Sequence, residues 1–449
     1  RCRATEMTVR RTLASLALLV LAAPAAAQGL LEVYRDAKQY DAQYAAARHA
    51  FAAALEKLPQ ARALLLPTLG LSANRTETRI DSEPRAGSAA VPFVRDARAW
   101  GYTLSFSQPL YRPQNLVQRD QAEYQVKQAE AQFAQASQDL ILRVAQAYFD
   151  VLAAQDTLAL VQAQKAAIAE QLAQAKRNFE VGTATITDTH EAQARFDLAA
   201  AQEIAAQNDL ETKRRALQSI TGKEYATLKP LRAQLKLSPP DPPQMQSWVE
   251  LAEKQSYSVL AQEAAAEIAR LETRRSAAAH LPTLDLVASY GYTSQTASAI
   301  SPAGTNVTTG SLGLQLALPL YAGGALSSRE REAAANYERA KQELENARRA
   351  AALAARQTYL AVLNGIAQVS ALEQALVSSQ TALESNKLGY EVGVRINIDV
   401  LNAQQQVFAT RRDLALARYN TITAHLRLKS AAGALREEDL EEVNRALEP

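Results

Sequence analysis

The segment from Leu66 to Gly222 reappears from Leu281 to Gly433. LPTLGL at 66–71 returns as LPTLDL at 281–286, SQPLY at 107–111 as ALPLY at 317–321, and NFEVGTATITD at 178–188 as GYEVGVRINID at 389–399. The offset settles at 211, which lays Tyr148 on Tyr359, Gly182 on Gly393, Asp188 on Asp399 and Gly222 on Gly433. A chain built twice on one plan is folded from one supersecondary unit and its copy, so whatever the first repeat forms the second must form as well.

Each repeat opens with two stretches of alternating pattern. Leu69, Leu71 and Ala73 share one face and Thr68, Gly70 and Ser72 the other, while Trp100, Tyr102, Leu104 and Phe106 alternate with Gly101, Thr103, Ser105 and Ser107. In the second repeat Leu284, Leu286, Ala288, Tyr290 and Tyr292 alternate with Asp285, Ser289, Gly291 and Thr293, and Leu312 to Leu318 follow the same rule. This period of two predicts strands near 66–80, 97–110, 281–293 and 310–320, joined through Ser-, Ala-, Gly- and Pro-rich loops at 79–98 and 294–310. A soluble sandwich and a lipid-facing barrel share such alternation. If the sheet faces lipid, four strands cannot close a barrel and an open edge is not tolerated in hydrocarbon, so several chains must pool theirs. Two chains supply eight strands and three supply twelve, and the pattern alone does not choose.

After the second strand of each repeat comes a stretch almost free of helix breakers, expected as helices over about 112–179 and 323–390. Its apolar positions follow a 4,3 spacing from Ala122 through Val126, Phe133, Leu140, Val144, Val151 and Leu158 to Ile168, Leu172 and Phe179, with Lys165 the exception. About 65 helical residues extend roughly 100 Å, far beyond a hydrocarbon slab of about 30 Å. Turns at Val181-Gly182 and Val392-Gly393 then reverse the chain into return helices over about 188–220 and 399–430, with Asp188 and Asp399 placed as N-terminal caps.

The remaining boundaries follow. Residues 1–27 comprise an upstream stretch and a cleaved export signal, in which Arg10-Arg11 precede an apolar run and Ala25-Ala26-Ala27 supplies the cleavage pattern. Residues 28–222 are repeat one, and 223–247 form a linker marked by Pro230, Pro239, Pro240, Pro242 and Pro243. Residues 248–433 are repeat two and 434–449 a tail. No run of 18 apolar residues follows the signal, so no membrane-spanning helix is expected.

Composition removes other functions. The only cysteine, Cys2, precedes the signal, leaving the mature chain without disulfide, thiolate metal site or cysteine nucleophile. Lys and Arg number 49 against 47 Asp and Glu, so no basic footprint for nucleic acid exists. His49, His190, His280 and His425 stand apart with no nucleophile or phosphate loop around them. No enzyme and no cofactor is expected.

In their order and duplication, the LPTL strand starts, PLY after the second strand, the paired EVG turns, SITGKEY closing repeat one and SAAGALREEDLEEVNRALEP closing repeat two resemble the TolC family over nearly the whole mature chain. The resemblance implies an α+β membrane protein of a Gram-negative bacterium. It would be a homotrimer whose twelve-stranded outer-membrane β-barrel, four strands per chain, continues as a long α-helical coiled-coil barrel through the periplasm. It implies an efflux or type I secretion duct that docks to a periplasmic adaptor, or membrane fusion protein, and to an inner-membrane pump of RND, ABC or MFS type. It further implies a gate at the periplasmic helix tips, in which Tyr390 and Arg395 tie to Thr187 and Asp188 within or between subunits. Asp399 matches a position that rings the opening with carboxylates and binds cations, while Asn402 stands where a second acidic ring occurs in the family. The rival reading is a periplasmic coiled-coil adaptor or scaffold without a pore.

Overall fold

The computed structural model describes residues 27–87, 91–232, 237–296 and 303–448. The export signal and Cys2 therefore lie outside the described residues, apart from Ala27. The chain divides into two compact units.

One unit, Ala50–Ala131 with Leu260–Asn346, holds a four-stranded antiparallel sheet in the order β1-β2-β3-β4. Its strands are β1 (Thr68–Ser82), β2 (Phe93–Tyr111), β3 (Thr283–Gln295) and β4 (Thr305–Ala317). The register carries the alternation across the sheet. Leu69 pairs with Phe106, Phe106 with Ala288 and Ala288 with Leu312, while Leu71 pairs with Leu104 and Leu104 with Tyr290. The neighbouring rows are Ser72–Thr103–Gly291–Thr309 and Gly70–Ser105–Ser289–Ser311, in which the Ser289 and Ser311 hydroxyls lie 2.8 Å apart. Successive side chains point to opposite faces, so one face is apolar and the other hydroxyl-bearing. The apolar face is bare, with Leu71 73% and Leu312 76% exposed.

The strands run further than alternation indicates: β2 begins at Phe93 and β1 reaches Ser82, so much of the expected loop at 79–98 is sheet. Similarly, β3 ends at Gln295 and β4 begins at Thr305, inside the stretch expected as loop from 294 to 310. The first extension carries Arg79, Asp81, Arg95 and Asp96, whose charges hide a strand from a hydropathy reading while leaving its backbone ladder intact. Pro109, a residue that cannot donate to a ladder, sits near the end of β2 beyond Ser107, where pairing with β1 has stopped, and the register with β3 shifts between Pro109 and Tyr111. Just beyond, Arg112 donates two bonds to Asp285, Nε to Oδ1 at 2.8 Å and Nη2 to Oδ2 at 2.6 Å.

Among its described residues the other unit, Arg1–His49 with Gln132–Val259 and Ala347–Pro449, is built of helices with two isolated bridges. Among the described residues the helices are α1 (Leu30–Tyr40), α2 (Ala42–Leu55), α3 (Lys57–Ala63), α4 (Pro113–Glu180), α5 (Ile186–Thr221), α6 (Met245–Gln255), α7 (Tyr257–Ala278), α8 (Ala325–Glu391), α9 (Asn397–Ala431) and α10 (Glu437–Arg445). Its main core gathers Leu30, Val33 and Tyr34 from α1, Leu140, Val144, Tyr148 and Phe149 from α4, and Tyr419, Ile422 and Leu426 from α9. Elsewhere the helices meet on small residues such as Ala175, Ala192 and Ala199, which let backbones approach closely. At Gly365 a side chain would collide with Thr421, so α8 and α9 come together where one residue has no Cβ. Lys165, the break in the heptad, reaches across to Glu203 at 2.8 Å and covers the Phe196 ring.

The repeat is visible in detail. Tyr148 Oη donates to the carbonyls of Gln28 and Lys229 at 3.1 and 2.9 Å, and its equivalent Tyr359 donates to the carbonyl of Pro243. Both tyrosines thereby fasten the Pro-rich linker. Asp41, between α1 and α2, accepts from the Tyr44 backbone and from both terminal nitrogens of Arg143, which holds its carboxyl below the usual carboxylate range. One helix, Ala325–Glu391, contains an 18-residue stretch of mean hydropathy 1.4, long and apolar enough by composition to cross a membrane. That stretch is apolar on average and interrupted by polar residues, and is not a run of 18 apolar residues.

Candidate gate at the helix tips

Two tight turns join α4 to α5 and α8 to α9. In each, a glycine takes the left-handed conformation that other residues avoid, Gly182 at φ 79° and Gly393 at φ 80°. The closing bonds correspond: Thr183 N–H donates to the Asn178 carbonyl at 2.8 Å, and Val394 N–H to the Gly389 carbonyl at 2.9 Å. Val181, Val392, Val394 and Ile396 all point into solvent, Val394 with 76% of its surface free.

The return helices start two residues earlier than expected, and neither aspartate is the cap. Thr185 caps α5, its Oγ1 accepting from Asp188 N–H at 3.3 Å while Asp188 Oδ2 accepts from Thr185 N–H at 3.0 Å. Asp188 is thus the third helical residue of a capping box, which satisfies two N–H groups reciprocally. In the second turn Ile396 stands at the cap without a side-chain acceptor, and Asp399 lies in the first turn of α9. Asn397, the first residue of α9, is buried with neither side-chain amide atom bonded.

Three polar links surround these turns. Asn178 Nδ2 donates to Tyr390 Oη at 3.2 Å, joining the ends of α4 and α8. Arg395 Nη1 lies 3.6 Å from Asp399 Oδ2. Arg195, on α5, donates to Asn402 Oδ1 at 2.9 Å and to Gln405 Oε1 at 2.8 Å, bridging to α9. Among the described residues no three His, Cys, Asp or Glu side chains come together as a metal site.

The sequence profile of the outer membrane efflux protein family matches residues 33–223 and 248–434, one segment per repeat. This chain belongs to the outer membrane efflux protein family. As a member it is an outer-membrane export channel with a periplasmic helical part, and the pore-less adaptor reading falls away. It is similar to outer membrane protein TolC of Vibrio cholerae, 36% identical over 434 residues covering 96% of this chain and 97% of that protein. It is also similar to alkaline protease secretion protein AprF of Pseudomonas aeruginosa, 33% identical over 97% of this chain and 91% of that one. Among solved structures, the outer membrane protein VceC of Vibrio cholerae shares the fold with a TM-score of 0.76 at 21% identity, covering 90% of this chain and 96% of that one.

Within one subunit of this efflux channel, Tyr390 bonds Asn178 and Arg395 faces Asp399, while Asp188 is engaged by Thr185 and Thr187 is exposed. Within one chain, then, Tyr390 and Arg395 engage Asn178 and Asp399 rather than Thr187 and Asp188. Asn178, Thr185, Arg195 and Gln405 are absent from the sequence-based set. Thr185 had a readable signal, the T-x-x-D spacing of a capping box. Arg195 had none, because its partners on α9 lie some 200 residues away in sequence.

Proposed function

We propose that three copies of this chain pool their sheets into a twelve-stranded barrel, and that their paired helices continue the bore into the periplasm as a passive, tip-gated duct. One observation carries the reading: β1 and β4 are open edges, 15 and 13 residues long, on a sheet whose apolar face is bare. Lipid tolerates neither unpaired backbone nor an exposed edge, so edge β4 of one copy pairs with edge β1 of the next until the ring closes. Eight strands leave an interior filled by side chains, whereas twelve leave a passage.

The tip holds the gate. Thr187, Asp188, Tyr390, Arg395 and Asp399 form links that each contribute on the order of 1 kcal/mol, weak enough for a docking partner to break together. Asp399 from each copy rings the opening and favours cations, while Asn402 leaves a second acidic ring unfilled. The exposed Val181, Val392, Val394 and Ile396 offer an apolar crown for a periplasmic adaptor. An inner-membrane pump of RND, ABC or MFS type supplies the energy, and the chain itself catalyses nothing. The name of AprF, a protease secretion protein, favours polypeptide cargo alongside small molecules.

The test is assembly and conduction together. The mature protein extracted from outer membranes should sediment in detergent as a trimer and conduct ions after reconstitution. A soluble monomer without conductance would end the proposal.

A further inference from the structure

We infer that Arg195 sets the ion preference of the tip, by holding an unneutralised guanidinium one helical turn from the Asp399 carboxylate. The inference rests on reading Asp399 as a ring at the opening. Its own evidence is the position and the chemistry of Arg195.

Among the described residues Arg195 has no carboxylate partner; its bonds go to the neutral amide oxygens of Asn402 and Gln405. Arginine does not lose its proton in proteins, so this charge persists at every accessible pH. Two fork nitrogens are fixed on α9, and the crevice that Arg195 shares with Ile168, Leu198 and Leu401 leaves room for about one water. Asn402 lies three residues beyond Asp399 on α9, hence on the same side and about 4.5 Å further along the axis. On the turn side, Arg395 approaches the same carboxylate at 3.6 Å.

Each subunit thus presents a sequence of charges along one helix face: positive at Arg395, negative at Asp399, positive where Arg195 meets Asn402. All three lie within a Debye length of about 10 Å at 0.1 M salt, so an ion at the ring senses them together. Asn402 is central to this arrangement. A carboxylate there would neutralise the guanidinium in a fork-to-fork pair, whereas an amide accepts the hydrogen bond and leaves the charge in place. The consequence is an opening that holds multivalent cations poorly and admits anions more readily than a lone acidic ring would.

Full-length trimers in planar bilayers test this, with lanthanum as the blocking ion and a potassium chloride gradient for the reversal potential. Arg195→Gln should lower the half-blocking lanthanum concentration about tenfold, since one unit-charge contact at about 4 Å in water is already worth roughly fivefold and the blocker is trivalent. The reversal potential should move toward that of potassium. Arg195→Lys, which keeps the charge and loses the fork, should stay within about twofold of the parent. The inference is overturned if Arg195→Gln leaves both readings unchanged, or if Arg195→Lys shifts them as far as Gln does, because the fork and not the charge would then matter. Asp399→Asn is read separately. Weaker block there upholds the ring, and unchanged block removes the ring reading while the Arg195 variants still report the guanidinium's effect on the reversal potential.

Discussion

Asn178 Nδ2 donates a 3.2 Å hydrogen bond to Tyr390 Oη, across 212 positions of sequence, and so ties the end of α4 to the end of α8 beside the two reversing turns. A neutral bond of this kind contributes about 1 kcal/mol. Three copies act on one opening, so their loss should be felt together. Tyr390→Phe should raise the open fraction in single-channel recordings by about fivefold or more. Asn178→Ala should also raise it, and the double variant should add little to Tyr390→Phe, since the Tyr390 change already removes this bond together with the proposed tie to Asp188 of a neighbouring copy. Independent, additive effects would show that the bond is not what restrains the tip.

The Arg112–Asp285 fork beside the shifted register makes a second prediction. Asp285 is nearly buried, while Arg112 is about two-fifths exposed, so solvent screens part of the attraction. Replacing both by alanine should cost less than the sum of the single replacements. The coupling should be about 1–2 kcal/mol in thermal melts of the detergent-solubilised protein. Coupling near zero would reduce the pair to a surface contact.

Asp156 gives a pH dependence whose sign can be worked out. Burial raises its pKa, against the 2.6 Å hydrogen bond donated by Tyr419 Oη, which favours the charged form. With the folded pKa above the unfolded value of about 3.9, the native state binds the extra proton. The carboxylate therefore destabilises the fold at neutral pH, and this penalty fades as pH falls toward the unfolded pKa. Asp156→Asn keeps an acceptor for Tyr419 and removes the charge. It should raise the melting temperature at pH 7 and lose that advantage near pH 4. A variant less stable than the parent at pH 7 would mean that the carboxylate gains more from Tyr419 than burial costs it.

The plan of the fold was legible because its signals are local or repeated. Gly182 and Gly393, and likewise Gly222 and Gly433, each occupy the left-handed region that only glycine takes readily, and equal spacing exposed them as two copies of the same turns. The apolar rows of the sheet were legible from period two. Strand ends were not. Arg79, Arg95 and Asp96 continue a backbone ladder that hydropathy cannot see. At the tips, Asp188 and Asp399 were placed near their helix starts but given the cap's role. In α5 that role belongs to Thr185, and in α9 Ile396 holds the position with no acceptor at all. The bridge from Arg195 to Asn402 and Gln405 depends on how α5 and α9 face one another, which no local pattern encodes.

The hydroxyl-bearing rows, Ser72–Thr103–Gly291–Thr309 and Gly70–Ser105–Ser289–Ser311, describe a wall of small neutral groups. Along these two rows a passing molecule meets only hydroxyls and glycines, while fixed charge on the same face sits toward the strand ends, at Arg95 and Asp285. The middle of the sheet is thereby left neutral across all four strands on this face.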